Sequence, residues 1–172
     1  MTKRFQRVRA ILDEVVAHVK ESNDSSGSIS VYLAQYIVIV FHSEVESEVK
    51  STIERLLSQS SDSLTAVLLK DSLKCLIRSY EKGELAGFVG RCGDTPKRIF
   101  NEKTDDRITQ IYNNGIKARH KVAHAIGQPL TLGDVSSAID CAESILASFE
   151  DALVDVFVPS KRSTASVGLP SS

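Results

Sequence analysis

Residues 30–57, SVYLAQYIVIVFHSEVESEVKSTIERLL, admit two secondary structures, and the choice between them sets the fold class. Ile37 to Phe41 is a β-branched and aromatic run with strand propensity, which offers a short buried strand as one reading. Leu33, Ile37, Val40, Val45, Val49, Ile53 and Leu56 offer the other, a long apolar stripe along a helix. No Gly or Pro interrupts the stretch, and no turn signal brackets the β-branched run. No other segment of the chain reads as a strand to pair with it. Helix is the reading that stands.

Working outward, the same periodicity recurs on both sides. Phe5, Val8, Leu12, Val15 and Val19 predict a first helix that stops at the polar stretch Ser22 to Gly27. After a polar break at Ser58 to Ser63, Leu64, Val67, Leu68, Cys75, Leu76 and Tyr80 support a third helix. Glu81 to Pro96, with Gly83, Gly87, Gly90, Gly93 and Pro96, reads as an irregular connector. A fourth helix is expected from near Thr104, with Asp105 and Asp106 in a first turn where the helix dipole favours acids. It turns Ile108, Ile111, Gly115, Ala118 and Val122 inward and ends around Ala125 to Gly127. The fifth has the clearest start: Thr131 as N-cap, Asp134 closing a capping box, and Leu130 stapling onto Val135. Its stripe is Val135, Ile139, Ala142, Leu146, Phe149, Leu153 and Val156, and Pro159 stops it. The expected architecture is all-α, an antiparallel bundle of about five helices in one domain, residues 1–157, followed by a flexible tail, residues 158–172.

Composition narrows the class. The chain has 172 residues, 42% of them hydrophobic, enough for one domain with a substantial core. With no Trp and 6% aromatic residues, a base-stacking sheet is not expected. Cys75, Cys92 and Cys141 are odd in number and widely spaced, which suits a reducing compartment; Cys75 and Cys141 fall on apolar stripes. The charged N-terminus lacks a following apolar region, so it does not read as a signal peptide. The longest apolar run, Val31 to Phe41, is about half the ~20 residues of a membrane span. A soluble, cytoplasmic protein is expected, with no membrane partner.

Chemistry concentrates in Lys117-Ala-Arg-His-Lys-Val-Ala-His124, which holds two of the four histidines and three basic residues. Residues 97–124 carry a surplus of four positive charges, whereas residues 131–157 carry six acids and no Lys or Arg. One reading is charge compensation between neighbouring helices. A second is a metal site, because His120 and His124 stand four apart as in zinc-binding helices. Lys121, however, stands where a zincin carries its general base, and no third ligand is signalled; neither metal nor cofactor is expected. The third reading is metal-free RNA cleavage. RNA supplies its own nucleophile, the 2′-OH, so the protein needs groups that move protons and a cation where the phosphorane builds charge. His titrates near neutral pH, and Arg presents a permanent fork of donors to phosphate oxygens.

Arg119-x-x-x-x-His124 resembles the R-x(4)-H motif of the HEPN superfamily, all-helical and often metal-independent RNases. His120 stands where that family usually has a polar residue. The layout is similar to the RiboL-PSP-type branch over most of residues 1–157. The resemblance implies 2′-OH attack that leaves a 2′,3′-cyclic phosphate. It implies His124 in proton transfer, Arg119 on the phosphorane, and His120 in orientation or a second proton transfer, while Lys117 and Lys121 bind substrate. It further implies an RNA substrate, a homodimer, and a toxin or defence role with a cognate antitoxin or regulatory protein. The alternative is a non-catalytic HEPN-like module that binds RNA or protein. Two departures stand out: Ile126 replaces the Tyr that antitoxins modify in many HEPN toxins, and Ala125 replaces a frequent Gly. On a regular helix Arg119 and His124 diverge by about 140°, and His120 and His124 by about 40°. One copy therefore aims the arginine partly aside, and a two-fold dimer with both motifs in one cleft is the expected remedy.

His18 and His42 read as lone helical histidines at the core edge or surface, and Tyr32 and Tyr36 as packed residues. The evenly spaced Gly87, Gly90 and Gly93 lack the Gly-Lys-Ser/Thr of a phosphate loop.

Overall fold

A computed structural model describes residues 4–22, 27–59, 77–123 and 130–157. Among these the fold is all-α, with six helices and no strand: α1 (Gln6–Glu21), α2 (Ser28–Leu57), α3 (Lys82–Arg91), α4 (Asp94–Glu102), α5 (Asp106–Ala123) and α6 (Leu132–Phe157). The β-branched run at 37–41 is helical, as the stripe predicts. Its Ile37, Val38 and Phe41 are fully buried, and burial on one helical face outweighs the local strand preference. By length and composition alone α2 suffices to cross a membrane. Here it packs against α1, α5 and α6, with eleven residues buried.

Ion pairs and close contacts set the helix directions. Arg4 pairs with Glu150, and Arg9 pairs with Asp140 and Glu143, so α1 runs antiparallel to α6. Arg4 also pairs with Glu48, and the Val8 backbone meets Glu44, so α1 is antiparallel to α2 as well. Ser30 and Val31 share a groove with Leu132 and Gly133, while Arg55 reaches Glu150, so α2 and α6 point the same way. α5 returns antiparallel to α6, with Lys103 just before it on Asp151 and Gly115 opposite Ala138. Phe149 of α6 receives the rings of Phe88 and Phe100, centroids 6.1 and 6.0 Å away, which docks α3 and α4 onto the same core. A Phe5–Phe41 pair at 6.0 Å anchors the start of α1.

The capping box forms as read. The Thr131 backbone N–H donates to Asp134 Oδ2 at 2.9 Å, and the Asp134 N–H donates to Thr131 Oγ1 at 3.1 Å. α5 begins slightly later than expected. Asp105 Oδ1 accepts from the Ile108 N–H at 2.8 Å as its cap, while Thr104 is buried and bonds back to the Phe100 carbonyl. Beyond the expected stripe, Tyr112 and Ile116 of α5 are fully buried.

Three expectations are corrected. Glu81 to Pro96 is not an irregular connector, because α3 and the start of α4 occupy it. Leu85, Ala86, Phe88 and Val89 bury an apolar face, and Gly83 and Gly87 have open space where a side chain would stand. Those two glycines therefore cost only helix propensity. The actual break is Gly93 at φ 137°, and Pro96 falls in the first turn of α4, where its missing N–H loses nothing. Tyr80 does not continue a helix; it lies outside any helix at φ 57°. Tyr32 and Tyr36 do not pack; they are 71% and 53% exposed. The remaining positions of the third expected helix, the end of the α5 segment and the tail at 158–172 lie outside the described residues.

Candidate active site

The site is built where α5 crosses α2. A Cβ on Gly115 would meet Ala138 Cβ at 2.6 Å and Phe41 Cε1 at 3.2 Å, so only glycine permits this approach of α5 to both neighbours. One turn further on, Arg119 reaches back toward α2, and its Nη1 lies 3.4 Å from His42 Nδ1. Guanidinium is donor-only, which makes Nδ1 the acceptor and places the imidazole proton on Nε2. His42 is 3% exposed. Burial pushes its pKa below the usual histidine range; nearby Arg119 and His120 push the same way, and Glu46 opposes them. The imidazole is thus held neutral at the core edge, facing the motif arginine.

A second layer lies behind it. Glu46 and Lys50 follow His42 at one-turn intervals along α2, and Lys50 Nζ donates to Glu46 Oε1 at 2.5 Å. That bond holds the Glu46 carboxyl below its ordinary range and raises Lys50. Tyr80 sets its ring edge-on to His42, with centroids 5.9 Å apart. Burial pushes the Tyr80 hydroxyl up, and it interacts with both Glu46 and Lys50. Its backbone sits in the left-handed region, which costs a β-unbranched residue about 1 kcal/mol or more. The buried Tyr112 hydroxyl, donating to the Tyr80 carbonyl at 2.5 Å, helps hold it there.

Of the sequence-predicted site residues, Arg119 and His120 come together beside His42, and both are exposed. Lys117 forms a 3.0 Å ion pair with Glu81 at the start of α3. Lys121 is described as part of the α5 backbone, and His124 lies outside the described residues. His18 is exposed, as expected of a lone helical histidine. Sequence reasoning missed His42, Glu46 and Tyr80. The only signal was the i, i+4, i+8 spacing of His42, Glu46 and Lys50 on one face of α2. No pattern links Tyr80 to them, since its position depends on a strained backbone.

Among the described residues, charge compensation between the basic and acidic segments occurs in one place. Lys103 pairs with Asp151 at 2.8 Å. The other paired acids of α6 go elsewhere: Asp140 and Glu143 to Arg9, and Glu150 to Arg4 and Arg55. Among the described residues, no carboxylate pairs with Arg119.

The family model for RiboL-PSP-HEPN matches residues 6–155, from the first turn of α1 almost to the end of α6. No curated protein and no solved structure matches the chain. HEPN domains are typically RNases. An all-α bundle with its motif arginine at the α5–α2 crossing, matched over nearly its whole helical length, belongs to the RiboL-PSP-HEPN family.

Proposed function

We propose that the chain is a metal-independent RNA endonuclease of the toxin or defence type, acting in the cytoplasm under an antitoxin or other regulatory protein. One observation carries this reading: Arg119 is exposed, and its partner among the described residues is a neutral imidazole rather than a carboxylate. A guanidinium held this way keeps its charge and its donor fork for an incoming phosphate. Substrate 2′-OH attacks the adjacent phosphorus, the 5′-oxygen leaves, and a 2′,3′-cyclic phosphate remains. His124 transfers a proton, Arg119 stabilises the phosphorane, and His120 orients the substrate or moves the second proton. Lys117 and Lys121 bind flanking phosphates, Lys117 by exchanging Glu81 for RNA.

The assembly that goes with this is a two-fold dimer sharing one cleft. Ile29, Tyr32, Tyr36 and Ile39 recur at three- and four-residue steps on α2, and all four are exposed. This apolar stripe continues toward His42 and supports a self-complementary interface beside the site.

The test is incubation of the purified protein with total RNA in EDTA, with His124→Ala as control. Cleavage by the wild type alone, leaving cyclic phosphate ends, is expected. RNA binding without cleavage moves the chain to a non-catalytic binding module.

A further inference from the structure

The RNase reading assigns no task to His42, although this is the residue that touches the motif arginine. We propose that His42 is a positioning residue for Arg119: its Nδ1 lone pair holds one arm of the guanidinium, and the Tyr80 ring packs against the imidazole. The geometry gives three reasons. First, the 3.4 Å approach of a donor-only Nη1 makes sense only if Nδ1 is an acceptor, so the neutral Nε2–H tautomer is required. Second, His42 is buried while Arg119 is exposed, so the imidazole is the fixed partner and the arginine the one that is aimed. A long side chain on the last turns of a helix loses much of its wandering when one nitrogen is tethered, and the other guanidinium donors are left for substrate. Third, a strained Tyr80 backbone is maintained to set a ring edge against that imidazole. Strain of this kind persists only where the surroundings over-determine it, here through the Tyr112 hydroxyl on the Tyr80 carbonyl.

The groups facing His42 are Arg119 and His120 from α5, Glu46 from α2, with Lys50 beyond it, and Tyr80 from the segment before α3. A proton on His42 converts the acceptor into a cation beside the guanidinium, so Arg119 is released. The sign follows from the depressed pKa of the folded protein. The arrangement is intact at neutral pH and fails as pH falls through that lowered value.

The role in catalysis rests on the RNase reading, so the experiment has one arm that needs no activity. In that arm, long-range ¹⁵N–¹H spectra of the full chain report the tautomer and titration of His42, with a free histidine peptide as reference. A neutral Nε2–H form that titrates below the ordinary histidine range, and that titrates higher in Arg119→Ala, is expected. An Nδ1–H tautomer, or a titration unmoved by Arg119→Ala, overturns the proposal whether or not the protein cleaves RNA. In the activity arm, His42→Phe lowers kcat by about 100-fold with little change in KM, the cost of a misaimed group. His42→Asn, whose carboxamide oxygen stands where Nδ1 stood, restores most of the rate and removes the His42 component from the acidic limb of the pH profile. A fully active His42→Phe overturns the proposal. So does an Asn variant that folds with native spectra yet is as slow as Phe. If the wild type fails to cleave in EDTA, the RNase reading falls, and the tautomer and titration still decide what His42 does to Arg119.

Discussion

Arg119 and His120 are adjacent in sequence yet are asked to do different work, and substitution separates them. Lys at 119 retains the charge but not the planar fork that matches two phosphorane oxygens, so Arg119→Lys is expected not to rescue Arg119→Ala. Losing one such pre-organised contact costs ~100–1,000-fold in kcat, measured in single-turnover cleavage. His120→Asn is expected to keep a good part of the activity, because an amide still orients phosphate or ribose. Full activity in Arg119→Lys would reduce the residue to an electrostatic anchor. Arg119 and His120 were legible because they stand in one short motif with a chemical rationale. His42 was not legible. It lies 77 positions away from Arg119, and a lone histidine on an apolar helix carries no local mark of what it will face. Only the tertiary crossing of α5 over α2 assigns it a partner.

At the scale of the element, two local devices govern α5 and α6. Gly115→Ala places a methyl 2.6 Å from Ala138 Cβ. Overpacking of about 1–3 kcal/mol exceeds the helix-propensity gain of about 1 kcal/mol, so the urea midpoint falls. Activity falls further than stability does, because α5 must lift and carries Arg119 with it. The capping box sets the other limit. The Asp134 carboxyl is held below its ordinary range by the Thr131 backbone N–H and then by its hydroxyl. A depressed carboxyl contributes stability above the unfolded carboxylate range and loses it as pH falls through the folded value. Thr131→Ala is accordingly expected to cost ~1 kcal/mol at pH 7 and visibly less near pH 2, read from thermal midpoints at the two values. Such elements were legible where the apolar stripe ran unbroken, as in α1 and α2, and most sharply in α6, where a cap also marks the start. The helices inside Glu81 to Pro96 were not, because residue type alone does not tell a Gly or Pro that a helix tolerates from one that ends it. Gly83 and Gly87 sit on an open face, Pro96 sits in a first turn, and Gly93 alone has the backbone that breaks a helix.

For the whole molecule, light scattering at micromolar concentration is expected to give a dimer. Tyr36→Glu, a charge placed on the exposed stripe, is expected to give a folded monomer with strongly reduced cleavage. A wild-type monomer with full activity would remove the shared cleft. A further property of the whole follows from where the ion pairs go. Each exposed pair on α6 adds little to stability, typically 0–1 kcal/mol. Their distribution matters more. Arg4, Arg9, Arg55 and Lys103 pair with Asp140, Glu143, Glu150 and Asp151 of α6, while Arg119 of α5 has no carboxylate partner among the described residues. In a chain of net charge −1, the motif thus keeps a permanent cation with no carboxylate beside it among the described residues. A polyanion is expected to be drawn toward that charge before contact forms, with an encounter rate that falls steeply as salt shortens the reach of the field, checked by stopped-flow mixing across a salt series.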